Sequence, residues 1–238
     1  MTILAVIPAR GGSKGIPRKN LILVNQKPLL AYSVEAAAQA TTIDRAVVST
    51  DDAEIAEVAR QGGAEVPFMR PADLAGDKAL MLGVLQHALG WHERTLGPVE
   101  AVVLLQPTSP LRRARHIDEA VALFRSSGAS SVVSVVDVPH QFNPVSVMSL
   151  ADGVLRPFLG QSELITRRQD KPRVFARNGP AVLVCHPDTL KGGDLYGPRC
   201  VPYVMSARDS LDIDEPDDLQ AVESAMQAAN DGGPGHAG

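Results

Sequence analysis

Residues 2–20, TILAVIPARGGSKGIPRKN, contain the two features that decide the fold. Residues 2–7 form a short, uninterrupted apolar run, which is typical of a strand buried on both faces of a parallel sheet. The loop at residues 8–20 follows, with three glycines and four basic residues. Glycines let backbone N–H groups approach an anion closely, and Arg and Lys add charge-assisted hydrogen bonds. Because open α/β sheets bind ligands at the carboxyl ends of their strands, the loop predicts an anion site.

Other interpretations of this loop are a solvent-exposed basic turn, a P-loop and a dinucleotide-binding turn. Charge runs are often merely solvated, so the first needs no ligand at all. The Walker A spacing GxxxxGK[ST] is absent, since Gly11 is followed by Lys14-Gly15. The pattern GxGxxG is absent as well, which disfavours NAD.

Strand-like and helical segments alternate after the loop. The predicted strands are residues 45–49, 64–69, 101–106 and 131–136, and the predicted helices are residues 28–40, 52–61, 79–91 and 117–126. Asp51 is the predicted N-cap of the second helix. The alternation predicts an α/β fold with a doubly wound, mostly parallel sheet.

The pattern changes after residue 136. Residues 139–172 contain several prolines and glycines and a possible hairpin at Asp152-Gly153, which indicates an insertion that leaves the main sheet. Residues 181–186 and 201–205 return as strands, and residues 217–228 form the closing helix. We therefore expect a single domain over residues 1–229, with a disordered Gly-rich tail at residues 230–238.

The composition is that of an ordinary globular protein, with 238 residues, 45% apolar and 21% charged. The net charge of −4 does not favour nucleic acid as a partner. Two cysteines without a CxxC pair argue against a disulfide framework and favour the cytoplasm. No stretch reaches the roughly 18–20 apolar residues of a membrane span, and no signal peptide is expected.

Two acids near the C-terminus, Asp212 and Asp214, are two residues apart. In an extended segment both carboxylates would point to one face. Two carboxylates suit Mg²⁺, which takes its other ligands from water and substrate phosphates. The alternative is structural, because Asp214-Glu215-Pro216 would also begin the last helix well.

Together with the middle of the chain, these features resemble the acylneuraminate cytidylyltransferase family. The matching stretches follow the order of that family and are IPARGGSKGIPRKN, VVSTDD, RPADLAGD, LLQPTSPLR, RRQDKPRVFARNG and SLDID. The resemblance implies a Rossmann-like nucleotidyltransferase fold and a Mg²⁺-dependent transfer of a nucleoside monophosphate, most simply CMP from CTP, to a sugar acid with release of pyrophosphate. It also implies a homodimer, with residues 139–172 as a dimerisation arm.

The resemblance also assigns roles to residues. It implies that Lys19, Gln106 and Asp214 are catalytic and that Asp212 and Asp214 hold Mg²⁺. The residues implied for the nucleotide are Arg10, Gly11, Gly12, Ser13, Lys14, Asn20, Arg70, Asp77 and Ala79. Those implied for the acceptor sugar are Gln106, Arg168, Arg177 and Asn178, with Arg168 on the acceptor carboxylate.

The sequence departs from that family mainly on the acceptor side. Leu80 and Met81 stand where small hydroxyl residues are common, and Val182 stands where tyrosine is common. The resemblance implies that Arg177 takes the place of an arginine that the family carries elsewhere. Legionaminic or pseudaminic acid, another carboxylate acceptor such as a phosphonate, or GTP as the nucleotide are therefore open alternatives, as is a non-catalytic nucleotide-binding relative.

Overall fold

A seven-stranded sheet forms the centre of the computed structural model, which describes residues 1–13, 15–160 and 165–231. The strands of this sheet are β1 (Thr2–Pro8), β4 (Arg45–Ser49), β5 (Val99–Leu104), β6 (Ser131–Asp137), β9 (Phe175–Arg177), β10 (Leu183–Cys185) and β11 (Cys200–Met205). Two hairpins lie outside it, β2 (Leu23–Val24) with β3 (Lys27–Pro28) and β7 (Met148–Ala151) with β8 (Val154–Pro157). The helices are α1 (Leu29–Gln39), α2 (Ala53–Gln61), α3 (Met81–Thr95), α4 (Ala114–Ser127), α5 (Pro187–Lys191) and α6 (Pro216–Asp231).

The main sheet is mostly parallel, which confirms the predicted fold class. Its order is β11-β6-β10-β5-β1-β4, and β9 pairs with β6 beside this path. β1 runs parallel to β4 and β5, and β11 runs parallel to β6. β10 is antiparallel between β5 and β6, with Leu183 opposite Leu104. The residues that precede β10 therefore lie at the carboxyl end of β5.

Helices cover both faces of the sheet, so the apolar run of β1 is buried on both sides. Ile3 and Ile7 point into a core with α1, α2 and α4. Leu4 and Val6 point into a second core with α3 and α5. This two-sided burial explains why β1 is uninterrupted rather than alternating.

The predicted strand at residues 64–69 is wrong. The structure has only single bridges there, from Val47 to Glu65 and from Thr50 to Met69. Pro67 lies between them and has no backbone N–H to donate to a ladder, so continuous pairing is lost.

The predicted N-cap at Asp51 is also wrong. Asp52 caps α2, accepting from the backbone N–H of Glu54 and Ile55. Asp51 instead accepts from the backbone N–H of Gly11 at 2.9 Å. One aspartate thus begins the helix, and its neighbour binds the loop after β1.

Two further differences concern elements beyond residue 170. α5 and β9 were not predicted, and both are too short to show a clear period. The last helix continues to Asp231, so residues 230 and 231 are helical rather than part of a disordered tail. Residues 232–238 of the predicted tail, and Lys14, lie outside the described residues.

The insertion at residues 139–172 carries the predicted hairpin. β7 and β8 pair antiparallel in a separate two-stranded sheet. Asp152 and Gly153 connect them with φ of 54° and 74°, the left-handed backbone of a two-residue hairpin turn. Across the described ranges, no helix is both long and apolar enough to cross a membrane.

Candidate functional site

A cleft of about 310 Å³ opens at the edge of the sheet where β1 and β5 end. Its walls come from the loop after β1, the segment that leads into α3, the loop after β5, and the Asp214 turn. Many of the predicted site residues line it, namely Arg10, Gly12, Ser13, Lys19, Asn20, Arg70, Asp77, Ala79, Gln106 and Asp214. The structure therefore gathers residues from both ends of the chain in one place.

Hydrogen bonds and close packing hold the base of the glycine-rich loop in place. The Asn20 side chain is buried and donates to the carbonyl of Arg10 at 2.9 Å. A Cβ on Gly11 would lie 2.8 Å from Oδ2 of Asp52, so this position needs glycine. Because the Gly11 N–H already donates to Asp51, the amide predicted to bind phosphate is engaged inside the protein.

Lys19 connects this loop to the acidic motif at the other end of the chain. Its Nζ donates to the carbonyl of Ile213 at 2.9 Å and to Oδ1 of Asp214 at 2.8 Å. A Cβ on Gly15 would lie 2.6 Å from the carbonyl oxygen of Asp214. The two most specific motifs of the sequence are thus in direct contact.

The two acids of this motif have different environments. Asp212 is largely buried and its Oδ1 accepts from the Ser109 hydroxyl at 3.0 Å. Burial raises the pKa of the Asp212 carboxyl, and the nearby Asp214 carboxylate adds to the rise. Asp214 is 71% exposed and faces the cleft. Ile213, fully buried between them, anchors the segment.

The structural alternative for Asp214 as the cap of α6 does not describe this turn. The Asp218 carboxylate accepts from the backbone N–H of both Asp214 and Glu215, at 2.9 and 2.8 Å. Asp218 therefore stabilises the start of the helix, and the Asp214 side chain remains directed to Lys19.

The donor set of the site consists of the Asp212 and Asp214 carboxylates. Among the residues that the structure describes, no group of three or more His, Cys, Asp or Glu side chains could hold a metal ion. Mg²⁺ is commonly bound by one or two carboxylates together with water and substrate phosphates. A pair of acids beside an anion-binding loop fits that mode of binding.

Sequence reasoning missed Arg112, which organises the loop after β5. Its Nη1 donates to the carbonyls of Gln106 and Ala181, both at 2.9 Å, and its Nη2 donates to the Ser33 hydroxyl. Arg112 is only 2% exposed, and this burial lowers its pKa. The stretch LLQPTSPLR contained it, but the sequence does not distinguish it from exposed Arg113 beside it.

The predicted acceptor residues other than Gln106 do not line the cleft. Asn178 is buried, and its side chain bonds to the hydroxyls of Ser134 and Ser210. Arg177 lines a neighbouring cavity of about 390 Å³. Arg168 lies on the insertion, in a third cleft of about 440 Å³. Most residues predicted for the nucleotide thus line one cleft, whereas the residues predicted for the acceptor lie in separate places.

The positions where the sequence departs from its relatives have distinct surroundings. Leu80 is 74% exposed, and Met81 lines the cleft while packing against the α3 core. Val182 is fully buried in the other core. The position where tyrosine is common in the family is therefore part of the core here. Of these three residues, only Met81 lines the cleft.

Comparison with known proteins agrees with this geometry. Residues 4–227 match the family described as cytidylyltransferase. A CMP-N,N'-diacetyllegionaminic acid synthase of Legionella pneumophila is 35% identical over 95% of this chain and 97% of its own length. An N-acylneuraminate cytidylyltransferase of Escherichia coli is 32% identical over 96% of this chain, which spans 53% of that protein.

Solved structures show the same fold. A CMP:2-keto-3-deoxy-manno-octonic acid synthetase complexed with CTP superposes with a TM-score of 0.70 at 17% identity, covering 96% of this chain and all of that one. The family match extends over nearly the whole sequence and includes every segment that lines the cleft. The chain belongs to the cytidylyltransferase family.

Proposed function

We propose that the protein transfers CMP from CTP to the anomeric hydroxyl of a nonulosonic-type sugar acid and releases pyrophosphate. One observation carries this proposal: Lys19 joins the glycine-rich anion loop to the acidic pair Asp212 and Asp214. A triphosphate held by the loop would have its reacting phosphorus beside these carboxylates. The names of the Legionella and Escherichia relatives, a CMP-N,N'-diacetyllegionaminic acid synthase and an N-acylneuraminate cytidylyltransferase, support the substrate class.

The nucleotide would occupy the cleft with its phosphates on the loop. Gly12, Ser13 and Asn20 line that end, with Lys19 beside them, and Lys14 remains a prediction. The ribose and base would lie toward Arg70, Asp77 and Ala79. Arg10 forms an ion pair with Asp77 at 3.0 Å and joins the phosphate end to the base end.

Asp212 and Asp214 would hold Mg²⁺. The ion would neutralise charge on the phosphoryl oxygens. Within the chain, Asp214 has a cation partner in Lys19, whose side chain is 15% exposed. Lys19 is thereby placed where it can move from the carboxylate to a phosphate oxygen, adding positive charge as the pentacoordinate transition state forms.

Gln106 would position the attacking hydroxyl. Its Nε2 donates to the carbonyl of Gly179 at 2.6 Å, which fixes the side chain against the wall of the cleft. The side-chain oxygen would accept a hydrogen bond from the acceptor hydroxyl. Orienting the hydroxyl in line with the leaving pyrophosphate supplies most of the catalysis that such a site needs.

We also propose that the chain is a homodimer and that the insertion at residues 139–172 is its dimerisation arm. The arm exposes a group of large apolar side chains, Phe142, Leu150, Val154, Leu155, Phe158 and Leu159. Such a patch favours burial against a partner. Arg168 lies on the same arm and could then reach the acceptor of the second protomer.

Light scattering after size exclusion tests the dimer, and a mixing experiment tests Arg168 in trans. Leu155→Glu should give monomers if the arm is the interface. Mixed Arg168→Gln and Asp214→Asn proteins should regain part of the activity that each lacks alone. A wild-type monomer, or no recovery on mixing, contradicts the respective proposal.

Two free cysteines favour the cytoplasm as the place of action. Cys185 is buried, Cys200 is exposed, and neither forms a disulfide. Unpaired cysteines are usual in a reducing compartment. Alkylation of the exposed thiol in intact and permeabilised cells tests this location.

A pyrophosphate-release assay over four nucleoside triphosphates and a panel of acid sugars tests the function. We expect release with CTP and a nonulosonic acid, and none with Asp214→Asn. Release with GTP, or with a phosphonate that carries a carboxylate, would change the substrates but keep the chemistry. Nucleotide binding without release from any pair would identify a non-catalytic relative.

A further inference from the structure

The two acids proposed for Mg²⁺ lie on a segment that forms neither helix nor strand. Residues 206–215 connect β11 to α6, and Asp212 and Asp214 are near the end of this connection. Connecting segments are generally more mobile than helices and strands, so such a segment keeps one conformation only where other parts of the protein hold it. The position of the acid pair therefore depends on the contacts that this segment makes.

One continuous stretch, residues 108–116, contacts this segment at both of its ends. At the end near α6, the Thr108 carbonyl accepts from the Ile213 N–H at 2.9 Å. The Ser109 hydroxyl donates to Oδ1 of Asp212 at 3.0 Å. The first turn of α4 holds the end near β11. The loop after β5 and the helix that follows it thus support the acid motif together.

Asp209 is the residue that the first turn of α4 holds. It is buried, with 8% of its surface exposed. Its Oδ2 accepts from Nη2 of Arg115 at 3.0 Å and lies 3.4 Å from Nε2 of His116. Its backbone N–H donates to the Ser206 hydroxyl at 3.0 Å. Because Asp209 precedes Asp212 by only three residues, a shift of its carboxylate would also move the acid pair.

The buried ring of His116 presents a hydrogen-bond donor to Asp209. Burial lowers the pKa of this imidazole, and the charge of Arg115 adds to the lowering, so the neutral ring predominates at neutral pH. Its Nδ1 accepts from the Arg113 N–H at 3.1 Å. A neutral imidazole carries one hydrogen, which must therefore be on Nε2, the nitrogen that faces Asp209.

We propose that His116 and Asp209 are positioning residues for the acid pair: Nε2 of His116 holds Asp209, and Asp209 sets where Asp212 and Asp214 lie. This inference rests on the proposed metal site, although neither positioning residue lines the cleft. Buried polar pairs are often no more stabilising than well-packed apolar side chains, and in some proteins they fix one arrangement of the chain instead. Here the arrangement that is fixed includes both proposed metal ligands.

Binding of Mn²⁺, a paramagnetic substitute for Mg²⁺, tests this inference without relying on turnover. Electron paramagnetic resonance measures the free ion in solutions of the full chain. His116→Asn should weaken Mn²⁺ binding by about 3- to 10-fold, as expected for one lost hydrogen bond, because its amide ends near the position of Nδ1. His116→Gln should bind Mn²⁺ like wild type, because its longer side chain places an amide donor near the position of Nε2. The Mg²⁺ concentration that half-saturates pyrophosphate release should rise in His116→Asn by the same factor as the Mn²⁺ dissociation constant.

Asp118→Ala on the same helix is the matched control. The Asp118 carboxylate accepts from the backbone N–H groups of Thr41 and Thr42, at 3.1 and 2.9 Å, and so holds a segment that carries none of the proposed metal ligands. This variant should lower the melting temperature, as His116→Asn does, but leave Mn²⁺ binding unchanged.

The outcomes separate this inference from the proposed function. Should His116→Asn fail to fold, Asp209→Asn takes its place, with the same loss of Mn²⁺ affinity expected. If the variant that folds binds Mn²⁺ as tightly as wild type, or if Asp118→Ala loses as much affinity, the contact is only structural and the inference is wrong. If wild type neither binds Mn²⁺ nor releases pyrophosphate, the proposed function itself fails.

Discussion

Replacement of Arg112 by lysine keeps the positive charge but removes hydrogen bonds that the buried guanidinium donates. The guanidinium reaches three acceptors, the carbonyls of Gln106 and Ala181 and the hydroxyl of Ser33. These lie on three different segments, which Arg112 therefore ties together. A lysine ammonium is a single point and cannot span them in the same geometry.

The expected cost follows from the number of lost bonds. A hydrogen bond to a charged group contributes about 1.5–3 kcal/mol. If the ammonium keeps one acceptor of the three, the loss of two lowers the free energy of unfolding by about 3–6 kcal/mol. Native domains have only about 5–15 kcal/mol in total, so the variant would be near its limit of stability.

Urea unfolding followed by circular dichroism measures the effect, with Arg125→Lys as the control. Arg125 forms a surface ion pair with Glu100, and its side chain is 47% exposed. The same substitution there should cost about 1 kcal/mol or less. We also expect Arg112→Lys to lower kcat more than it changes the KM for CTP, because the carbonyl it releases belongs to Gln106. Equal midpoints for the two variants would refute this reasoning.

Three other changes probe the site and its supports. Asp214→Asn should abolish turnover with Mg²⁺ yet cost about 1 kcal/mol or less of stability, since its ion pair with Lys19 is partly exposed; a near-wild-type rate would contradict the metal assignment. Gly15→Ala should raise the KM for CTP several-fold, because its Cβ would lie 2.6 Å from the Asp214 carbonyl; an unchanged KM would mean that the loop can shift freely. Burial lowers the pKa of His116, whose Nδ1 accepts from the Arg113 N–H at 3.1 Å. Its contribution to stability is therefore full above the ordinary pKa of 6.5 and is lost as the pH falls toward the lower folded pKa. His116→Gln should flatten that loss in unfolding midpoints measured from about pH 8 to about pH 5, whereas an identical pH profile would show that another group titrates.

Most of the fold could be predicted from the sequence because apolar runs and helical periods alternate clearly along it. The alternation located β1, β4, β5 and β6 and the helices between them within a few residues. It failed at residues 64–69, where an apolar run with strand composition contains Pro67. The composition of that segment favours a strand, but the missing N–H of Pro67 decided against a ladder.

The two halves of the site differ in how far the sequence reveals them. The residues proposed for the nucleotide are concentrated in continuous motifs, so Arg10, Lys19 and Asn20 could be named from one loop. The residues predicted for the acceptor lie on separate parts of the structure, so no single motif brings them together. Tyr196 stands in no motif, and its contact with Arg177 is a product of tertiary structure.

Two cations of the cleft, Arg10 and Lys19, already have acidic partners, and this pairing affects how the proposed site can bind a nucleotide. Arg10 faces Asp77, and Lys19 faces Asp214. A bare triphosphate that took Lys19 would leave Asp214 beside Asp212, whose pKa the neighbouring carboxylate already raises. Two adjacent carboxylates without a cation repel each other and the incoming phosphates. By this reasoning, the proposed Mg²⁺ would favour nucleotide binding by replacing Lys19 at Asp214.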